Sequence, residues 1–390
     1  MTFAIRAGIL TQLSSEFGLT DAELGWVNSM AFLGFPVAMM IGGALYNQLG
    51  AKKLLVTAFI CHLLGLWLTI TANGFWGLLI STFFIGFANG AVEAGCNPLI
   101  AQLYKDDKTT MLNRFHVWFP GGIVIGAIIS KFMTDAGLGW QLQIAVMLVP
   151  TLIYGFLVFK QQFPQVHRAA STSTLSNFKA LSQPLFIFMV LCMTLTATTE
   201  LGTQQWIDRI LSASGASPML IMAMITGVMA VGRYFAGPVI HRLNPVGVLL
   251  FSAVIATLGI YSMSIATGNA VYLSALLFAI GVTYFWPTMI GFIAEYVPET
   301  GALGLSLIGG AGMFAVSLWN PIIGQWIDSA RTHATTITNN DLDAELLAGQ
   351  SVLANLTLFP MLLIVAFTLL YFYMNKIKSA NVVPADSLAK

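Results

Sequence analysis

GAVEAGCNPLIAQLYKDDKTTMLNRFHVWFPGGIVIG, residues 90–126, sets two apolar runs on either side of a short loop carrying Lys105, Asp106, Asp107 and Lys108, and strands one carboxylate, Glu93, inside the first run. A run of about twenty apolar residues spans a hydrocarbon core of about 30 Å at 1.5 Å per residue. Working outward, eleven such runs lie close to residues 24–46, 53–72, 75–103, 112–132, 140–159, 184–207, 218–240, 246–266, 270–294, 302–327 and 351–375. Ahead of them, residues 1–13 are apolar apart from Arg6 and Gln12, but as a helix they reach only about 20 Å, too short to span. The rest of the chain has the arithmetic of twelve spans. The expectation is therefore an all-α integral membrane protein of twelve helices whose first helix is truncated at its N-terminus.

Composition agrees with a lipid solvent. Hydrophobic residues make up 57% of the 390 and charged ones 8%, against about 25% charged in soluble domains, and the mean hydropathy is +0.81. A water-soluble enzyme is excluded, and no nucleophile-base pair or metal cluster falls at one depth. The 17 basic and 16 acidic residues nearly cancel, so no field points to nucleic acid. Cys61, Cys96 and Cys192 sit in apolar runs at spacings that suit neither zinc nor a disulfide framework. Residues 1–13 lack the pattern of a cleavable signal peptide, so insertion uses retained helices.

Basic residues near helix ends stay on the cytoplasmic side. With the first helix running outward, the inner loops hold Lys52, Lys53, Lys105, Lys108, Arg114, Lys160, Arg168, Lys179, Arg242, Lys376, Lys378 and Lys390, which is 12 of 17. Lys131, Arg209 and Arg331 fall outside, and Arg6 and Arg233 lie within apolar segments. Both termini are then cytoplasmic, in the cell inner (plasma) membrane. The polar inner connection divides the chain into an N-terminal half, residues 1–160, a linker, 161–183, and a C-terminal half, 184–390. An internal repeat supports the division. Gly43 matches Gly237 at an offset of 194, Asn97-Pro98 matches Trp286-Pro287 at 189, and Gly121-Gly122 matches Gly309-Gly310 at 188.

GGALYNQLGAKKLL, residues 42–55, resembles the loop between the second and third helices of the major facilitator superfamily, with Asn47 where that loop usually has an acidic residue. The resemblance implies that superfamily's fold of two six-helix repeats. Within it, residues 90–126 are similar to the fourth and fifth helices of the fucose-proton symporter family, and FGLTDAELGWVNSMAFLGFP, residues 17–36, to its first loop and second helix. TELGTQQWI, residues 199–207, resembles the seventh helix of sodium-dependent glucose transporter-like proteins.

Of the 16 acidic residues only Glu93 and Glu200 lie inside spans, where ionisable groups mark ion and substrate paths. Burial disfavours a charged carboxyl, so one that alternates between dry and wet cavities takes up and releases a proton. The resemblance implies that Glu93 couples transport to protons, and Glu200 is expected to share that role. Ala7 stands where the symporter family has an Asp, and its neighbour Arg6 corresponds to Glu200 under the 194 offset. Arg6 is therefore expected to pair with Glu93 or Glu200 in one conformation. Arg233 reads as a snorkelling or inter-helix residue.

The resemblance implies that helices one, four, seven and ten line the central cavity. Candidate substrate contacts are Asn97, His116, Gln204, Gln205, Trp206, Tyr284, Trp286 and Asn320. Amides offer donor and acceptor together for hydroxyls, and indoles suit the apolar face of a pyranose. The expected function is secondary import of a small polar solute, a sugar or polyol, by proton symport with alternating access. Sodium is the alternative coupling ion, and no other cofactor or metal is expected. The partners expected are that solute and the lipid bilayer, with a monomeric chain. The rivals are a drug or metabolite efflux antiporter and a non-transporting membrane sensor.

Overall fold

Inside a bilayer every backbone amide must bond within the chain, and a helix does this segment by segment. The computed structural model describes residues 1–19, 21–164, 179–211 and 213–381, and every regular element among them is helical. The middle of the expected linker lies outside the described residues. Nine helices there are long and apolar enough to cross a membrane, and Leu220–Tyr234 is a shorter apolar one. All eleven apolar runs of the sequence are helical. Exposed Trp67, Ile153, Phe156 and Phe372 cover outward faces, as a hydrocarbon surrounding requires.

The chain begins with α1 (Thr2–Gly8) and α2 (Leu10–Phe17), then α3 (Asp21–Ile70) and α4 (Phe75–Leu103). The 50-residue α3 contains non-helical Gly50, φ 71° and ψ 171°. There it doubles back. A Cβ at Gly34 would meet Phe83 and Phe87 backbone of α4, and a Cβ at Gly65 would meet Ile85 and Ser81 of the same stretch. Both limbs therefore lie on one partner. Gly86 and Gly90 of α4 form a G-x-x-x-G face whose Cβ atoms would run into the carbonyls of Ala31 and Phe35. This is the close backbone approach that small residues permit in membranes.

The fifth span is α5 (Lys108–Phe115) with α6 (Trp118–Asp135), and the sixth is α7 (Trp140–Val146) with α8 (Leu148–Lys160). In the second half α9 (Pro184–Ala197) runs into a π-helical turn, Thr198–Gly202, and two short pieces, α10 (Thr203–Gln205) and α11 (Ile207–Ile210). Then come α12 (Pro218–Tyr234), α13 (Ala236–Ile265), α14 (Ala270–Val282), α15 (Phe285–Tyr296), α16 (Gly301–Ile337), α17 (Asp341–Leu356) and α18 (Leu358–Asn381).

The repeat seen in sequence recurs in geometry. Inside α13, Asn244 has φ 56° and is 194 positions after Gly50. Its side chain accepts hydrogen bonds from Val246 and Gly247 N–H at 3.1 and 3.2 Å, which holds an Asn where glycine is the usual choice. Gly259 packs against Phe278 backbone as Gly65 packs against Ile85. Gly43 meets Ser306 and Ala302 of α16, while Gly237 meets Thr110 of α5. Two glycines thus seat each half on the other.

These and further contacts between the halves gather at the end that carries Lys52, Lys53, Lys105 and Lys108. Lys108 Nζ donates to the Ala294 carbonyl at 2.9 Å, and the Thr109 N–H and hydroxyl both donate to Glu295. Asn113 donates to Thr288 at 3.3 Å, and His241 Nε2 lies 3.1 Å from Asp107 Oδ1.

Candidate functional site

Glu93 sits one turn before Asn97-Pro98 in α4, so the Asn97 amide reaches back along the helix and donates to its Oε2 at 3.3 Å. The Asn97 Oδ1 lies 3.2 Å from His116 Nε2. That assignment puts the His116 proton on Nε2 and turns an unprotonated Nδ1 toward Glu93 Oε1, 3.9 Å away. A proton held by Glu93 therefore has an acceptor close by. Asn97 and His116 are buried, and Glu93 faces a cavity lined also by Phe119, Glu200, Leu201, Arg233, Trp286 and Met313.

Glu200 enters that cavity from the π-helical turn, a local widening often found at functional sites. Its partner is Arg233: Nη2 donates to Glu200 Oε1 at 2.9 Å, with the two side chains 1% and 2% exposed. Arg233 makes two more bonds, Nε to the Thr283 carbonyl at 2.7 Å and Nη1 to the His116 carbonyl at 3.3 Å. Prolines explain both acceptors. Pro120 and Pro287 have no N–H, so the carbonyls four residues earlier, His116 and Thr283, have no helical donor. One guanidinium fork supplies both and fixes spans five, seven, eight and ten to one point. Arg233 is thus a fully buried inter-helix residue, not a snorkelling one. Its signal in the sequence was the pair of prolines each placed one turn past a position at its depth.

Arg6 is not the partner of Glu93 or of Glu200 in this conformation, because Arg233 and Asn97 take those places. Instead Arg6 Nη2 donates to Asn28 Oδ1 at 3.1 Å and weakly to the Val27 carbonyl at 3.4 Å. It lines a second cavity with Thr2, Phe3, Asn28, Ala31, Phe32, Ile85, Asn89 and Gln205. An aromatic layer separates the two cavities, with the Phe3 ring 5.3 Å from Phe32 and 5.7 Å from Phe119. The volumes are about 30 Å³ around Arg6 and about 10 Å³ around Glu93, the latter room for about one water. Both are far below the roughly 300–1,000 Å³ of an open small-molecule site.

The other expected contacts divide. Trp286 lines the Glu93 cavity, has a buried Nε1 without a partner, and meets Phe35 of the other half edge-on at 6.5 Å. Gln205 faces the Arg6 cavity, whereas Gln204 is buried with its amide 3.5 Å from Met229 Sδ. Trp206 packs on Gly324 and its Nε1 has no partner. Tyr284 turns away, into a cluster with Ala236, Ile240 and Val248. Asn320 lines neither cavity, and its Oδ1 is buried without a partner. A polar set that sequence reading passed over joins three helices of the first half: His62 Nδ1 lies 2.7 Å from the Tyr154 hydroxyl and Nε2 3.1 Å from Asn89 Oδ1.

Comparison with known proteins places this geometry. The family model of the Major Facilitator Superfamily matches residues 1–321. The D-xylose transporter of Levilactobacillus brevis is 26% identical over 148 residues, 38% of this chain and 32% of that protein. The sphingosine-1-phosphate transporter SPNS2 of Danio rerio is 26% identical over 155 residues, 39% of this chain and 31% of that protein. The chain thus spans about a third of the length of these curated relatives. Among solved structures, the E. coli fucose:proton symporter FucP in its outward conformation superposes with a TM-score of 0.71 at 17% identity, covering 92% of this chain and 94% of that one.

Proposed function

Because the chain belongs to the Major Facilitator Superfamily, we propose that it is a secondary transporter of twelve helices that imports a small polar solute, a sugar or polyol, together with a proton. The observation that carries this reading is the unequal treatment of its two intramembrane carboxylates. Glu200 is compensated by Arg233 at 2.9 Å. Glu93 faces the same cavity with a neutral amide and an imidazole beside it, so it is the group whose charge can change without breaking an ion pair. Glu93 carries the proton, with His116 as its relay. Glu200 and Arg233 hold the spans that move.

Alternating access rocks the halves about this mid-depth site. The lysine-rich end is cytoplasmic by the positive-inside rule, and the bonds that Lys108, Thr109 and Asn113 make across the halves close it. The chain works as a multi-pass protein of the cell inner membrane, with the lysine-rich end of the bundle in the cytoplasm, whereas Met1 lies inside the bundle against Gly122 and Gly126. Gln205, Trp286, Asn97 and His116 contact the solute once the halves part and the cavities widen.

Proteoliposome uptake of a labelled sugar and polyol panel tests this. Accumulation is expected to follow an imposed proton gradient, rising as the external pH falls, and to ignore a sodium gradient. Glu93→Gln keeps the Asn97 contact but has no proton to carry, so solute exchange across equal concentrations persists while accumulation and its pH dependence disappear. Glu93→Gln protein that still accumulates solute with wild-type pH dependence would overturn the assignment. Expulsion of hydrophobic compounds without sugar uptake would favour the efflux reading instead.

A further inference from the structure

We propose that the solute carries a carboxylate and that Arg6 receives it, an assignment that rests on the transporter reading above. The two arginines inside the spans differ in one respect. Arg233 has three acceptors, one of them a carboxylate. Arg6 has only the Asn28 amide and a long contact to a carbonyl, its Nη1 is buried without any partner, and among the described residues no carboxylate lies within ion-pair distance of it. A guanidinium nitrogen buried with idle N–H groups is unfavourable unless an anion completes it, and the planar fork matches a carboxylate.

The rest of that cavity fits such a guest. Asn28, Asn89 and Gln205 supply neutral donors and acceptors for hydroxyls or the second carboxylate oxygen, and Phe3 and Phe32 supply a flat apolar wall for a sugar ring. Its place suits entry from outside. Asn89 precedes Glu93 by one turn, about 6 Å, and Gln205 follows Glu200 by five residues. Both displacements run away from the sealed, lysine-rich end. An arriving solute therefore meets Arg6 before the aromatic layer that covers Glu93.

Charge counting then links the two cavities. Glu200 and Arg233 cancel, which leaves Arg6 and Glu93. Facing Glu93 are His116, Arg233, Glu200 and Trp286, and none of these adds an uncompensated charge. In the empty protein an ionised Glu93 balances Arg6. With the solute carboxylate on Arg6, the buried set is neutral only if Glu93 is protonated. One anion and one proton enter together, and the cycle moves no net charge.

The test uses matched pairs on the full purified chain: D-glucuronate with D-glucose, D-galacturonate with D-galactose, and D-gluconate with sorbitol. The acid of at least one pair is expected to raise the thermal unfolding midpoint in detergent, and its neutral counterpart to leave it unchanged. Arg6→Gln is expected to weaken acid binding tenfold or more, and Arg6→Lys to retain part of it. Gln205→Glu, which sets a competing carboxylate in the cavity, is expected to weaken acid binding without lowering the ligand-free midpoint, a result that a purely structural Arg6 does not give. Uptake of the acid into proteoliposomes is expected to be unchanged when the membrane potential is altered with valinomycin. The assignment is overturned if no acid in the panel binds, or if a neutral member binds and Arg6→Gln leaves its affinity unchanged. Neutral sugars accumulating while acids do not would overturn it and leave the transporter reading standing. Acids that bind but never accumulate under any gradient would support the Arg6 site and defeat the transporter reading.

Discussion

Arg233 shows what a single side chain decides in this protein. It is enclosed by Glu200 and by two carbonyls from different helices, so removing it leaves a buried carboxylate and two buried acceptors unpaired. Arg233→Gln is expected to lower stability by about 3–5 kcal/mol, the usual result of breaking one side of a buried pair. The shift in thermal unfolding of the detergent-solubilised chain measures it. The double variant Arg233→Gln with Glu200→Gln removes both charges and is expected to regain much of that stability while remaining inactive in transport. If the double variant unfolds as early as the single one, Glu200 is not the group that Arg233 neutralises. At this scale the sequence was half legible. Glu93 and Glu200 stood out because carboxylates inside apolar runs are rare for a plain energetic reason. Their partners did not: Asn97, one helical turn from Glu93, reads equally well as a substrate contact, and pairing with Arg233 depends on where another helix is placed.

Broken helices position these groups. Span seven is interrupted by the π turn at Thr198–Gly202 and again at Trp206, φ −104°, and span ten is split around Thr283 and Tyr284. The cause in span ten is Pro287, which withholds the N–H that Thr283 would otherwise receive. Pro287→Ala returns that donor and sets it in competition with Arg233 Nε. Folding is expected to change by no more than about 1 kcal/mol, while uptake falls at least tenfold, so expression level and uptake rate measured together check the prediction. A second element-scale expectation concerns Gly90: Gly90→Val would drive α4 from α3 at the Phe35 carbonyl and cost about 1–3 kcal/mol, read as a lowered unfolding midpoint. Apolar runs revealed the spans because length and hydropathy alone define them. They did not reveal that the reversal between spans two and three turns on Gly50 alone, because the need for one residue with positive φ leaves no mark on hydropathy.

For the molecule as a whole, the bonds at the lysine-rich end decide which way it faces. Glu295 accepts both the N–H and the hydroxyl of Thr109, from a partner 186 residues away in sequence. Glu295→Ala removes an acceptor that exists only while that end is shut. A loss of about 1–3 kcal/mol shifts the balance between conformations by roughly 5- to 150-fold. Spin labels at positions 53 and 242, on opposite halves of that end, are expected to show a larger population at long distance, and an unchanged distribution would mean that other contacts hold the seal. The two-half plan was legible from three Gly and Pro landmarks at nearly equal offsets, since a repeated sequence builds a repeated bundle. The seal was not, because nothing local marks which residues of the two halves meet. The way Arg233 is anchored has one more consequence, for how such a chain diverges. Two of its three acceptors are main-chain carbonyls, which every amino acid possesses, so position 283 is free to drift as far as this bond is concerned. Positions 120 and 287 are not, because any replacement restores an amide hydrogen. A saturating substitution scan should therefore find the purifying constraint displaced four residues downstream of the atoms that make the contact.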